Sequence, residues 1–212
     1  MMRPMKMAGS QLMFGEGCLA HLETLQGKKA LIVASGSMIK TGIIKIVCDH
    51  LDKAQINHEI FTGVEPDPSF STVMRGADAM KAFQPDVIIA VGGGSVMDAA
   101  KAMWVYYEYP NLTKLAEIVP PNKIPKLRNK AYMVCIPSTS GTASEVSRSV
   151  VITDDETHIK YGIGDMEMMP DVAICDPIAT VSMPPKITAE TGMDALTHAV
   201  EALVSNRANY LS

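Results

Sequence analysis

One segment of the chain limits the possible folds more than any other, because an apolar run there ends in three consecutive glycines. Residues 86–91 have the sequence DVIIAV, and Gly92-Gly93-Gly94-Ser95 follow directly. An apolar run without polar alternation is typical of a strand in a parallel sheet that is covered on both faces. The residues after Ser95, up to about Tyr109, have helical composition. The segment therefore predicts a buried strand, a glycine-rich turn and a helix in succession.

The rest of the chain repeats this alternation of strands and helices. Before the glycine turn, the sequence predicts strands over 29–34 and 58–61 and helices over 41–54 and 69–83, the second of them capped by Ser69. After it come a surface excursion over 110–130, strands over 132–136 and 172–175, a hairpin of 149–153 with 158–162, and a long helix over 188–203. This order predicts an α/β fold with a doubly wound parallel sheet.

The composition excludes several classes of partner. The 212 residues include 19 basic and 23 acidic side chains, which gives a net charge of −4 without a basic cluster. Nucleic acid and anionic membranes are therefore poor partners. No apolar run approaches the roughly 20 residues of a membrane helix, and the N-terminal residues lead into no signal-peptide core. We expect a cytoplasmic protein with reduced, mostly buried thiols at Cys18, Cys48, Cys135 and Cys175.

The glycine turn is a candidate phosphate-binding site. Glycine lets a ligand approach bare backbone, and the N-terminus of the following helix presents free N–H groups and a positive dipole end, which suit a pyrophosphate. Ser95 would either cap this helix or donate its hydroxyl to a phosphate. The alternative is a tight turn that merely needs glycine. The turn is not the Gly-x-Gly-x-x-Gly fingerprint of a conventional Rossmann fold. A phosphotransferase is disfavoured because neither a phosphate-binding lysine nor an acidic Mg²⁺ site is near the turn.

A second loop with phosphate-binding chemistry follows the strand over 132–136. Five of the seven residues from Ser138 to Ser144 carry hydroxyl groups. The alternatives are a solvated turn or a helix cap, and Thr142 with Glu145 fits a capping box. Two such loops after parallel strands would lie side by side at one edge of the sheet, which favours a dinucleotide-binding cleft.

The long C-terminal helix carries a candidate pair of metal ligands. Asp194 and His198 are four residues apart, so their side chains project from one helix face. A carboxylate oxygen and an imidazole nitrogen at this spacing suit Fe²⁺, Zn²⁺ or Mn²⁺. A surface hydrogen bond between the two side chains is the alternative, and the other four histidines offer no evident completion of a site.

Together these motifs resemble the iron-containing, group III alcohol dehydrogenases. The resemblance lies in three long segments, residues 92–101, 137–146 and 192–201, with further landmarks at 64–68 and 152–154 followed by Lys160. It covers nearly the whole chain in order, and the chain looks most similar to bacterial butanol dehydrogenases. A glycerol dehydrogenase or a dehydroquinate-synthase-like lyase is the alternative within the same superfamily.

The resemblance implies a fold and a set of site residues. Residues 1–184 would form a dinucleotide-binding domain like the N-terminal domain of dehydroquinate synthase, and 185–212 the start of an all-helical metal-binding domain. It implies pyrophosphate contacts at Gly93, Gly94 and Ser95, adenine and nicotinamide contacts at Ser138, Thr139, Thr142, Ser149 and Lys160, and Asp67 near the adenosine. Asp194 and His198 match the first two metal ligands, with Fe²⁺ expected and Zn²⁺ the alternative. No catalytic side chain is assigned.

The resemblance also implies the reaction, a hydride transfer between NAD(P)H and a small aldehyde such as butanal. Many NAD-preferring members have an Asp just after the first strand, where it repels a 2′-phosphate. This chain has Ser35 in that region and no acid, so we expect NADP rather than NAD.

One departure from the family concerns length. The chain ends 14 residues after His198, whereas the resemblance implies a longer helical domain with two more histidine ligands. We therefore expect a truncated chain with little or no dehydrogenase activity, and a non-catalytic nucleotide-binding fragment is the alternative to an enzyme. For Gln11–Phe14, an edge strand that pairs between the subunits of a homo-oligomer and an intramolecular hairpin both stay open.

Overall fold

The structure, a computed structural model, describes residues 9–206 and 208 and contains one six-stranded parallel sheet. Its strands lie in the order β1-β8-β5-β4-β2-β3. Their bounds are Gln11–Phe14 (β1), Lys29–Ala34 (β2), Asn57–Phe61 (β3), Val87–Gly92 (β4), Tyr132–Pro137 (β5) and Val172–Cys175 (β8). Every neighbouring pair in this sheet is parallel. The predicted doubly wound α/β fold is confirmed.

A separate two-stranded hairpin and five α-helices complete the described fold. The hairpin pairs Ser149–Thr153 (β6) with Lys160–Gly164 (β7) in antiparallel fashion. The helices are Gly36–Lys40 (α1), Ile43–Lys53 (α2), Phe70–Phe83 (α3), Gly94–Glu108 (α4) and Pro185–Val204 (α5). The side chain of Ser69 accepts a hydrogen bond from the N–H of Thr72, so the predicted cap of α3 is present. α1 was not expected from the sequence, which predicted a break there.

Alternation along the central strands builds two cores, one on each face of the sheet. Side chains of β2 and β4 that point to one face pack with α3 and α4, and those of the other face pack with α2 and residues 18–24. The first set is Leu31, Val33, Ile88 and Ala90, and the second is Ala30, Ile32, Ile89 and Val91. All eight are buried, which explains why β4, and β2 after Lys29, carry no polar side chains.

Three expectations about the periphery of the fold need correction. Residues 110–130 do not form a mere surface excursion, because four apolar side chains at 115, 118, 124 and 127 are buried in the α3–α4 core. β1 pairs in parallel with β8 within the chain, so the hairpin alternative is wrong. The four cysteines all lie among the described residues and are free, but only Cys135 is buried.

The helix α5 is the least enclosed element of the fold. None of its described side chains is buried. At least half of the surface is exposed at four apolar residues, Met193, Leu196, Val200 and Leu203. It approaches the sheet domain near Gly141, where an added Cβ would lie 2.6 Å from the carbonyl oxygen of Thr191. In the described part of the chain, no helix has both the length and the apolar character to cross a membrane.

Candidate active site

A cleft of about 710 Å³ lies at the carboxyl edge of the sheet, next to the ends of β2, β4 and β5. The chain runs outward from β2 to β3 and then returns to the other side of β2 as β4, so the cleft lies at the switch point where open α/β sheets bind ligands. Seven residues that the sequence assigns to a cofactor line this cleft: Ser35, Gly93, Gly94, Ser95, Ser138, Thr139 and Thr142.

The glycine turn allows the two loops of the cleft to approach each other closely. A Cβ on Gly94 would lie 2.8 Å from the methyl carbon of Thr142, and one on Gly93 would lie 3.3 Å from the side chain of Thr139. Gly93 has φ −78°, so glycine is needed here for space and not for a left-handed backbone. Gly93 itself is the N-cap of α4 and makes no side-chain cap bond. Ser95 is therefore not the N-cap residue of α4, and it lines the cleft.

The hydroxyl-rich loop does not contain the predicted capping box. Residues 144–146 form a single 3₁₀ turn whose N-cap is Ala143, a residue with φ 51°. The hydroxyl of Thr142 instead accepts a hydrogen bond from the N–H of Ser144 at 3.3 Å. Burial raises the pKa of the Glu145 carboxyl. The loop is therefore an irregular segment, which is held in place by other parts of the molecule.

Two charged residues of α4 hold that loop, and sequence reasoning assigned no role to either. The Lys101 ammonium donates to the carbonyl oxygen of Ser144 at 2.7 Å and to that of Ser147 at 2.9 Å. Asp98 accepts from the hydroxyl of Ser144 at 2.7 Å and from the N–H of Val151 at 2.9 Å. Burial lowers the pKa of Lys101 and raises that of Asp98. The available signal was a pair of opposite charges, three residues apart, in the largely apolar helix α4.

A carboxylate lies in the cleft on the side of the Ser35 turn. Glu65 lines the cleft with Ser35, and its oxygens accept hydrogen bonds from the N–H and hydroxyl of Ser69 and from the hydroxyl of Thr72. Burial raises the pKa of Glu65, but these hydrogen bonds outweigh burial and leave the pKa below its usual value. The carboxylate is thus engaged at the start of α3. The hydroxyls of Ser35 and Ser37 lie 2.8 Å apart at the mouth of the cleft.

A second cavity, of about 450 Å³, joins the glycine turn to α5. Gly94, Ser95 and Thr142 line both cavities. The second cavity is further lined by four predicted site residues, Asp67, Ser149, Asp194 and His198. The predicted cofactor and metal residues are therefore placed in two adjoining cavities.

The candidate metal ligands face this second cavity from α5. The Asp194 Oδ1 and His198 Nε2 atoms lie 3.5 Å apart, and the two side chains are 42% and 60% exposed. Both donors are of the type that a first-row divalent cation accepts, so the pair fits such an ion as two of its ligands. Within residues 9–206 and 208, no group of three or more His, Cys, Asp or Glu side chains is placed to hold a metal ion.

Lys160 is the one predicted cofactor residue that lines neither of these two cavities. Its Nζ lies 2.8 Å from Oδ1 of Asp67, and both side chains are more than half exposed. Asp67 has φ 53° and lies in the turn before α3, so the ion pair fastens the β6–β7 hairpin to that turn. The two predicted cofactor residues contact each other here.

The fold and the cleft define a class, the nucleotide-binding α/β domains with a parallel sheet and a glycine turn at its switch point. The sequence model of the family described as iron-containing alcohol dehydrogenase matches residues 9–177. This chain belongs to that family, as the motifs predicted.

The relatives show how far the similarity extends. An NADPH-dependent butanol dehydrogenase of Clostridium saccharobutylicum is 52% identical over 193 residues, which cover 91% of this chain and 50% of that protein. An iron-containing alcohol dehydrogenase structure from Thermococcus thioreducens has a TM-score of 0.88 at 34% identity. The match covers 98% of this chain and 56% of that chain. A 1,3-propanediol oxidoreductase structure has a TM-score of 0.90 at 34% identity over 99% of this chain and 55% of its own. The chain thus spans about half the length of these relatives.

Proposed function

We propose that this chain is the cofactor-binding part of an NADPH-dependent dehydrogenase that interconverts a short-chain aldehyde such as butanal and its alcohol. The observation that carries the proposal is the switch-point cleft, where the glycine turn and the hydroxyl-rich loop lie in contact and open onto the Asp194–His198 pair. The 52% identity to an NADPH-dependent butanol dehydrogenase supports the cofactor and the substrate class.

Each part of the cleft has a role in this proposal. The N–H groups at the start of α4 bind the pyrophosphate with the help of the helix dipole, and the hydroxyls of the 138–149 loop orient the rest of the dinucleotide. Asp194 and His198 hold a divalent cation, with Fe²⁺ proposed. When both are bound, the nicotinamide supplies the hydride and the cation polarises the carbonyl oxygen of the substrate.

The preference for NADPH is argued from charge around Ser35. The turn after β2 contains Ser35, Gly36 and Ser37 and no acid, so no carboxylate of that turn repels a 2′-phosphate. Glu65 is the acid that lines the cleft near this turn, and its oxygens are engaged by Ser69 and Thr72. The hydroxyl groups of Ser35 and Ser37, which are hydrogen-bonded to each other at 2.8 Å, leave one O–H free to donate to the phosphate.

Fluorescence titration of the chain with NADPH and NADH tests the cofactor. We expect tighter binding of NADPH, and we expect Ser35→Asp to reduce the NADPH affinity by about tenfold or more because the new carboxylate repels the 2′-phosphate. Ser10→Asp is the matched control, since it adds the same charge at the opposite edge of the sheet. A clear preference of the parent chain for NADH would refute the NADPH assignment.

Butanal reduction and metal analysis test the catalytic part of the proposal. We expect the 212-residue chain alone to show little turnover with NADPH and butanal in the presence of Fe²⁺ or Zn²⁺, because the described residues offer two ligands and not three or more. Stoichiometric metal with normal turnover would contradict this expectation. Binding of NADPH without any turnover would agree with it.

A further inference from the structure

The helix α4 carries a buried cation whose role neither the fold nor the reaction accounts for. The Lys101 side chain is 0% exposed. Besides the carbonyl oxygens of Ser144 and Ser147, its Nζ contacts the hydroxyl of Ser144 at 2.8 Å and the carbonyl oxygen of Ser149 at 3.3 Å. A neutral amine has only two N–H groups, so four acceptors around one nitrogen favour the charged, three-donor ammonium.

This arrangement is energetically demanding, which makes a merely space-filling role a poor explanation. A buried ammonium loses its hydration, and that loss is normally offset by a direct carboxylate partner. Among the described residues, no carboxylate oxygen forms a salt bridge with Lys101. Asp98 reaches the ammonium only through the hydroxyl of Ser144, which lies 2.7 Å from Oδ1 of Asp98 and 2.8 Å from Nζ of Lys101. Main-chain carbonyl groups therefore provide most of the compensation.

The carbonyl groups that Lys101 binds belong to the loop that forms one wall of the site. Thr142, which precedes the bound segment, lies against the glycine turn, and Ser149, at its end, lines the second cavity. The opposite wall is the start of α4 itself, at Gly94 and Ser95. One helix thus carries the glycine turn at its first residue and, two turns later, the cation that holds the facing loop. The separation of the two walls is set within this single rigid element.

We infer that Lys101 is a positioning residue for cofactor binding: its ammonium holds the 144–149 loop at the distance from the glycine turn that a dinucleotide needs. The inference rests on the proposed function, because its test measures NADPH affinity and the position of the loop is inferred to control that affinity. Lys101 itself touches neither cavity.

Lys101→Met tests this inference, with Glu108→Gln as the matched control. Glu108 lies two turns further along α4, is 7% exposed and accepts hydrogen bonds from Trp104 and from the N–H groups of Arg128 and Asn129. Its network is also largely buried but adjoins the opposite edge of the sheet. Both variants should lower the thermal midpoint, whereas NADPH should bind at least about tenfold more weakly to Lys101→Met only. Glu108→Gln should stay within about twofold of the parent affinity.

Two results would overturn the inference. One is a Lys101→Met chain that is folded and binds NADPH within about twofold of the parent. The other is an equal loss of affinity in both variants, which would mean that general destabilisation is the cause. If Lys101→Met does not fold, Ser144→Ala removes the hydroxyl that accepts from the ammonium and donates to Asp98, and it should weaken NADPH binding by about threefold to tenfold. An unchanged affinity of Ser144→Ala would then overturn the inference.

Amide hydrogen exchange separates this inference from the proposed function. In the ligand-free chain, the amides of residues 144–149 should exchange faster in Lys101→Met than in the parent, and Glu108→Gln should not change them. If the parent chain fails to bind NADPH, the proposed function fails, and exchange of this loop still decides whether Lys101 holds it. Unchanged exchange in Lys101→Met would show that it does not.

Discussion

The switch-point cleft and the helix α5 adjoin each other but are held in place very differently. The cleft is formed by three buried strands, and its loops are fixed by hydrogen bonds that Asp98 and Thr142 accept and that Lys101 donates. α5 brings Asp194 and His198 to the adjoining cavity with no buried side chain of its own. Its apolar residues at 193, 196, 200 and 203 face outward.

The difference indicates which half of the site is organised before a ligand arrives. The walls of the cleft are defined by packing and by a buried polar network, so their geometry follows from the folding of the sheet domain. The position of the metal pair depends on a helix that makes few contacts within the described residues. Metal affinity should therefore respond to changes in α5 with little change in the stability of the sheet.

The largest contrast is expected in folding stability. Ile89→Ala removes a fully buried side chain from the centre of the sheet and should cost about 3 kcal/mol of unfolding free energy. Leu196→Ala on α5 removes a side chain that is 54% exposed and should cost no more than about 0.5 kcal/mol. Urea unfolding of both variants measures the two values. A cost above about 1.5 kcal/mol for Leu196→Ala would mean that α5 is packed in solution.

Two glycines sharpen the comparison through cofactor binding. Gly94→Ala places a Cβ against Thr142 and should weaken NADPH binding at least about tenfold, or about 1.4 kcal/mol. Gly192→Ala on α5 meets no atom within 4 Å and should leave NADPH affinity unchanged while stabilising the helix by up to about 1 kcal/mol. Titration with NADPH and thermal unfolding test both. Equal affinities of the two variants would mean that the loops of the cleft are easily displaced.

The metal pair provides the next contrast. His198→Ala removes one of two ligands and should lower the affinity of the chain for Zn²⁺ by about tenfold. His50→Ala is the matched control, because His50 lies on α2 and its Nδ1 atom pairs with Oε1 of Glu23 at a distance of 2.7 Å. Isothermal titration with Zn²⁺ measures both. If the two variants lose affinity equally, Asp194 and His198 do not form the site.

The smallest effect concerns the pH dependence of the sheet domain. The pKa of Glu65 is lower in the folded chain than its ordinary value of 4.5, so its carboxylate stabilises the fold at pH values above 4.5, and this contribution is lost as the pH falls through the folded pKa. Glu65→Gln should therefore lose less stability than the parent between pH 7 and pH 3. Thr72→Val, which removes a donor to the same carboxylate, should show the same direction. Urea unfolding at pH 7 and pH 3 measures the loss of stability of each chain. If both variants lose as much stability as the parent, Glu65 does not stabilise the fold in this way.

Much of the fold was predictable because local chemistry determines it. The apolar run before Gly92 and the Ser69 cap each specify one element from neighbouring residues alone, and both elements are present. The hairpin was also predicted, although β7 begins at Lys160 and not at residue 158. The errors came from tertiary packing: the 110–130 segment is rich in Pro and Lys, yet four buried apolar residues suffice to attach it to the core.

The sequence predicted most residues that line the candidate site, but not the residues that hold its loops in place. The motifs located the two loops and the Asp194–His198 pair, since their spacing along the chain is sufficient for that. The role of Lys101 depends on carbonyl groups 43 to 48 residues away in sequence, and main-chain acceptors leave no signal in side-chain patterns. Glu65 was overlooked for a similar reason, because its partners Ser69 and Thr72 predict only a helix start.

The close approach of Gly94 to Thr142 has a consequence for sequence variation. The two positions share one space, since a Cβ at 94 would lie 2.8 Å from the methyl carbon and 3.0 Å from the hydroxyl oxygen of Thr142. Substitutions at the two positions are therefore not additive: a smaller residue at 142 makes room for alanine at 94. Among descendants of this sequence, the two sites should evolve as a coupled pair, and each residue's tolerance for change depends on the other's volume.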